Sequence, residues 1–175
     1  MITHECKLGK HDYKPGHGSF ISFRNKGFEM VFSLPASAWF DPTSDGPLGA
    51  DGKDWNKVGG VSFINPFKPW TWRKNSNSAM IAWRPNKTFG LFEVCAYTND
   101  EKGRHDTSSA ILVGAGVGIG ATVNVARKSV KYYLQGKEHD AKISRALITT
   151  SVGPWFGGNR RSPVNHTINT VFKMK

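Results

Sequence analysis

A chain of 175 residues, 38% hydrophobic and 12% aromatic, has enough apolar mass for one domain with a real core, which excludes wholesale disorder. The formal net charge of +11 is uneven: 12 Lys/Arg meet 9 Asp/Glu up to residue 100, and 12 meet 4 beyond it. That field favours a polyanion (nucleic acid, acidic polysaccharide, anionic lipid or an acidic protein face) or simply keeps the chain soluble. Cys6 and Cys95 form no CxxC pair, which argues against a thiolate zinc site. The opening "MITHECKLGKHDYKPGHG" lacks the apolar stretch of a signal peptide, and no run approaches the roughly 18 apolar residues that would span a bilayer. The expectation is synthesis in the cytoplasm, with no signal peptide and no membrane span.

Residues 1–16 read as a polar N-terminal arm, and residues 17–175 as a single β-sandwich domain. "GSFISFR" alternates from Phe20 onward, and "GFEMVFSL" sets Phe28, Met30 and Phe32 on one face against Glu29, Val31 and Ser33. Period two with aromatic and β-branched enrichment predicts half-buried strands. A short helical turn fits Pro35–Trp39 or Ile143–Ile148. Asp41–Trp55 is the longest irregular stretch, of the length that usually marks a functional loop. Further strands are predicted at Val61–Asn65, Ala79–Arg84, Thr88–Thr98, Ser109–Arg127 (bent or broken), Val130–Gln135, Ile143–Ser151 and His166–Lys173, with turns at "NPFKPW", "RPNK", "NDEKGR", "LQGKEHD" and "FGGNRRSP". About eight to ten short strands and little helix predict an all-β fold, an antiparallel β-sandwich or jelly roll.

Several motifs invite chemistry. "GAGVGIGATV" spaces Gly114, Gly116, Gly118 and Gly120 alternately, which fails the G-x-G-x-x-G pattern. It predicts instead a strand with a side-chain-free face covered by protein. Asp41, Asp45, Asp51 and Asp54 suggest oxygen ligands for calcium, but their spacing is not that of an EF-hand, and solvated turn residues explain them. None of the six histidines forms HxH or HxxxH, so no metal site, no cofactor and no catalytic residue is assigned. Glu29 and Glu93 are the best placed acid/base carboxylates, although outward strand positions account for both. Trp70, Trp72, Arg73, Trp83 and Arg84, with Phe67 and Lys68 beside them, interleave rings and cations as a contact surface for sugars or bases does. Arg160 and Arg161 add to this expected binding surface, and Arg127, Lys128, Lys131 and Arg145 are expected to join them on one basic face. Trp155-Phe156 reads as an apolar anchor beside the turn at Gly157-Gly158.

The order Trp155-Phe156-Gly157-Gly158-Asn159, then Pro163 to His166 and an alternating last strand, resembles the C-terminal end of concanavalin-like jelly-roll proteins of gut bacteria and their phages. "NKVGGVSF", "NSAMIAWRP" and "FGLFEVCAYTNDEKGR" resemble their middle strands. The likeness covers about residues 55–173 and departs at Trp155, where tyrosine is usual. It implies a sandwich with a binding or assembly role. The leading expectation is therefore a non-enzymatic sandwich: a virion-associated coat, decoration or tail protein, or a glycan-binding module. Its expected partners are other protein subunits in an oligomer or larger assembly, or an anionic polymer such as an acidic glycan or nucleic acid. One alternative is a polysaccharide lyase on an acidic glycan, drawing on Tyr132, Tyr133, His139 or His166 for proton transfer. Another is nonspecific nucleic-acid binding driven by charge.

Overall fold

The computed structural model describes residues 1–16, 20–43, 54–72, 76–157 and 161–175. Among them run fourteen strands: β1 (Ile2–Cys6), β2 (Tyr13–Lys14), β3 (Ile21–Phe23), β4 (Gly27–Ser33), β5 (Asn56–Ile64), β6 (Ser78–Pro85) and β7 (Leu91–Asn99), followed by β8 (His105–Thr107), β9 (Ile111–Gly114), β10 (Ile119–Val125), β11 (Ser129–Leu134), β12 (Lys137–Lys142), β13 (Ile148–Val152) and β14 (His166–Met174). The first sheet has the order β12-β11-β10-β4-β14-β1-β2. The second has the order β3-β13-β5-β6-β7-β8, with β9 also on β7. Every strand pair is antiparallel. The molecule is a β-sandwich of jelly-roll type, as the alternation predicts, but the fourteen strands among the described residues exceed the eight to ten expected, because the short or polar ones carry no apolar alternation.

The inner faces meet in one core. Phe28, Met30 and Phe32 of β4 oppose Val61 and Phe63 of β5, Ala79, Ile81 and Trp83 of β6, and Phe92 and Val94 of β7. Each fully buried side chain of this size contributes about 1.5–3 kcal/mol. Phe156 joins this core while Trp155 stacks on His11 at 5.3 Å, so the expected anchor holds. Central strands of the second sheet are buried on both faces: Ser78, Met80 and Ala82 point away from the core yet are as inaccessible as Ala79 and Ile81. The short turn expected near Pro35–Trp39 is the 3₁₀ turn Ala36–Ala38, and a second spans Pro69–Trp72.

Four departures from the expected elements have physical causes. The expected N-terminal arm supplies β1, which pairs Ile2–Cys6 with β14. Its inward residues are His4 and Cys6, so no apolar alternation announces it. "LQGKEHD" is a hairpin, with Gln135 and Gly136 both at positive φ, as a two-residue turn requires, and β12 follows at once. The other helical turn allowed by sequence, Ile143–Ile148, does not form, since the Ile143, Ser144 and Arg145 amides bond to Lys128, Asn77 and Arg127, while Ser109–Arg127 breaks into β9 and β10 as expected. Its glycines are not a covered face: Gly116 takes φ 77° in the connecting turn, and a Cβ at Gly116, Gly118 or Gly120 would meet nothing within 4 Å.

Candidate functional site

The register across β5, β6 and β7 places a set of polar and aromatic side chains on the outer face of the second sheet. Successive rows are Ser62–Ser78–Asn99, Gly60–Met80–Tyr97, Lys57–Ala82–Cys95 and Arg84–Glu93. From Ser78 to Arg84 these rows span about 20 Å at about 3.3 Å per residue. β8 extends the face, with Thr107 opposite Tyr97 and His105 opposite Asn99.

Lys57 is the unusual member. It is 8% exposed, its Nζ donates to the Trp55 carbonyl at 2.5 Å, and it stands 4.5 Å from the centre of the Tyr97 ring. Burial pulls the amine's pKa below its ordinary value, while the nearby Asp54 carboxylate opposes that shift. The strand start is fixed from behind: the backbones of Lys57 and Trp155 exchange hydrogen bonds of 2.8 and 3.0 Å. The Asn56 carboxamide accepts from the Gly157 amide at 2.6 Å. The tryptophan corner near the C-terminus therefore positions the lysine.

Tyr97 lies between Lys57 and β8, and the imidazole of His105 stacks on its ring at 5.9 Å with an 8° tilt. Burial raises the phenol's pKa, so it stays protonated over the ordinary pH range. Further along the face, Glu93 accepts from Arg84 at 2.6 and 2.7 Å and from Asn86 at 2.9 Å. The Arg84 guanidinium covers Trp55 at 4.3 Å, a cation–π contact. Burial pushes the Cys95 thiol up to about 12, which removes it as a nucleophile at neutral pH.

The residues expected from sequence distribute unevenly around this face. Arg84 belongs to it. Trp70 and Trp72, 52% and 58% exposed, sit on the 3₁₀ turn that follows β5, where the Trp72 indole donates to Asn65 at 3.0 Å. Trp83 is not a contact residue. It is fully buried, edge-on to Phe92, Phe156 and His166, because its register puts it inward with Ala79 and Ile81. Arg161 is exposed beside Ser162, whose backbone bonds Gly9 and Lys10 at the β1–β2 turn. Arg73 and Arg160 lie outside the described residues, as do Asp45 and Asp51.

The proton-transfer candidates do not assemble. Tyr132 is buried inside the sandwich with its hydroxyl 2.7 Å from that of Thr98. Tyr133 points outward from the first sheet, and His139 sits at the lateral edge, 3.8 Å from Asp106. His166 is a core residue held by the Tyr13 hydroxyl at 2.6 Å. Glu29 lies on the outer face of the first sheet, paired with Lys175 at 3.2 Å, and Glu93 is committed to Arg84. Asp41 accepts from Thr43 as a turn residue. Among the described residues no group of three or more His, Cys, Asp and Glu is arranged around a metal position, and no helix is long and apolar enough to cross a membrane. Lys57, Tyr97 and His105 were not singled out by sequence. β5 begins earlier than its alternation suggests, and only strand register brings the three together.

No family model matches the chain, and no curated protein matches it in sequence. Its fold is shared with solved structures at very low identity. The alginate lyase from Klebsiella pneumoniae is 10% identical with a TM-score of 0.51, covering 86% of this chain and 59% of its own. The polysaccharide lyase family 18 protein aly-SJ02 is 6% identical at 0.50, covering 97% and 82%. A Saccharomyces cerevisiae protein described as functionally unknown is 10% identical at 0.50, covering 99% and 86%. The chain therefore spans under two thirds of the Klebsiella enzyme.

Proposed function

We propose that this protein binds an acidic glycan on the outer face of its second sheet, along the partly exposed Arg84, Glu93, Tyr97 and Asn99 that border the inaccessible centre of β5 and β6. The observation that carries the reading is Lys57: a nearly buried amine on that face, braced by the Tyr97 ring and one backbone carbonyl. An ammonium has three donors, and a uronate carboxylate reaching Nζ would engage it in a charge-assisted bond. Trp70 and Trp72 offer ring faces for sugar stacking on the turn between β5 and β6, and Arg84 with Glu93 offers hydrogen-bonding groups for hydroxyls. The +11 net charge favours approach of a polyanion.

Calorimetric titration with a uronate polymer and with a neutral β-glucan tests the reading. The uronate polymer is expected to bind more tightly. Lys57→Ala should weaken it roughly tenfold or more, the loss of one hydrogen bond to a charged group, without changing the neutral-glucan affinity. Equal affinity of wild type and Lys57→Ala for the uronate polymer would refute it.

The stacking of His105 on Tyr97 beside Lys57 favours a second reading, a lyase. There Lys57 neutralises the uronate carboxylate, and Tyr97 or His105 relays the proton leaving C5 and the proton reaching the departing oxygen as the C4–O bond breaks. Ultraviolet absorbance from an unsaturated product, lost in Tyr97→Phe, supports elimination; bound but uncleaved polymer leaves a binding protein. The virion-associated role expected from sequence gains no support from this face. Light scattering of the purified protein checks it, since a coat or decoration protein forms a large assembly.

A further inference from the structure

Hydrogen bonds join four segments at one end of the sandwich, and three of the segments bring cations together there. Lys26 accepts from the Val125 amide at 2.7 Å and donates to Lys175 at 3.1 Å. Arg145 donates its amide to Arg127 at 3.2 Å and its guanidinium to the Arg24 carbonyl at 2.7 Å. Ile143, next to Lys142, donates to the Lys128 carbonyl at 3.2 Å. The β3–β4 link, the β10–β11 turn, the β12–β13 link and the C-terminal residues thus meet, and they present Arg24, Lys26, Arg127, Lys128, Lys142 and Arg145. None of these six belongs to an ion pair among the described residues, and all but Arg145 are classed as exposed.

Two apolar side chains stand in the same corner. Phe23 is 67% and Leu147 53% exposed, and the two segments are tied by the Arg24 amide donating to the Leu147 carbonyl at 3.0 Å. A nucleic acid could stack a base on Phe23 but would leave Leu147 unused, because an aliphatic side chain has no π face. A layer of anionic headgroups meets all the cations at once, and both apolar side chains can enter the acyl boundary beneath it.

We infer that this end of the sandwich docks on an anionic lipid surface, seated by the six cations with Phe23 and Leu147 inserted. The site is distinct from the glycan face and does not rest on that reading.

Co-sedimentation with phosphatidylcholine vesicles, with and without phosphatidylserine, tests it. Binding is expected only with phosphatidylserine, and it should weaken as salt rises and shortens the reach of exposed charges. The pair Arg127→Gln and Lys128→Gln should lower affinity roughly thirtyfold, the loss of two cations near an anionic surface. Phe23→Ser with Leu147→Ser should remove the part of binding that survives high salt. All four positions are solvent-exposed, so unchanged melting of each variant is the control. Lys57→Ala should bind vesicles as wild type does, which keeps this result separable from the glycan test. Equal binding to both vesicle types, or no effect of the Phe23/Leu147 pair, overturns the inference. Single-stranded DNA bound more tightly than phosphatidylserine vesicles through Arg127 and Lys128 also overturns it, by making the patch a nucleic-acid site.

Discussion

His166 is neutral because its surroundings hold the uncharged ring. Burial lowers its pKa to about 4 from an ordinary 6.5, and a hydrogen bond to the Val164 carbonyl opposes only part of that shift. Tyr13 and Ser162 bracket the ring at 2.6 and 3.2 Å, and burial shifts His4 in the same direction. The unfolded chain therefore takes up protons below pH 6.5 while the folded one does not, so stability is full above that value and falls as pH drops toward 4. The loss attributable to His166 is about 3 kcal/mol across that window. Thermal melts from pH 7 to pH 4 should show the decline, and His166→Asn should flatten it relative to its own neutral-pH value. At this scale sequence is legible where residue type decides the outcome, as with Phe156 beside Gly157. It misleads where facing decides. Trp83 and Arg84 are adjacent and equally suggestive in sequence, yet one is core and the other surface because strand neighbours point to opposite sides.

Glycines separate the strand elements into two kinds. Gly27 takes φ +131°, and an added Cβ there would lie 1.8 Å from the Val123 carbonyl oxygen; at Gly60 the same atom would lie 2.1 Å from that of Ala79. These two let strands approach where a side chain would drive them apart. Gly120, by contrast, faces open space at ordinary φ, between Val31 of β4 and the outer surface. Gly27→Ala should cost about 2–4 kcal/mol from strain and overpacking, and Gly120→Val should fall within about 1 kcal/mol of wild type, on the stabilising side. Chemical denaturation of the two variants checks the contrast. The alternating glycines of 114–120 drew attention in sequence, but spacing says nothing about which backbone positions are crowded. Strands with apolar inward residues, such as β4 and β10, were legible for the usual reason. β1, β8 and β12 were not, since their sequences "ITHEC", "HDT" and "KEHDAK" carry little apolar alternation and are held by pairing with their neighbours.

For the molecule as a whole, the sandwich class followed from periodicity, whereas the places where charge collects followed from topology alone. Arg127, Lys128 and Arg145 lie with Arg24, Lys26 and Lys142, whereas Lys131 is drawn to Glu138 on the first sheet, Arg161 lies by the β1–β2 turn, and Arg160 falls outside the described residues. The same topology sets β14 between β1 and β4, with Ile2 opposite Thr170 and Ser33 opposite Asn169. β4 pairs with β10 on one side and β1 with β2, but neither gains its other neighbour until residues 166–174 have been made. Until then β4 offers an open edge on the side of β14, and β1 has only the two-residue β2 beside it, so unpaired strand edges persist until β14 arrives. A chain ending at Asn165 should fail to give the near-ultraviolet dichroism of the full protein and should precipitate. A synthetic peptide of residues 166–175 added during refolding should restore the signal by filling the gap from outside. The order in which strands are made thus sets when the first sheet can close around β14.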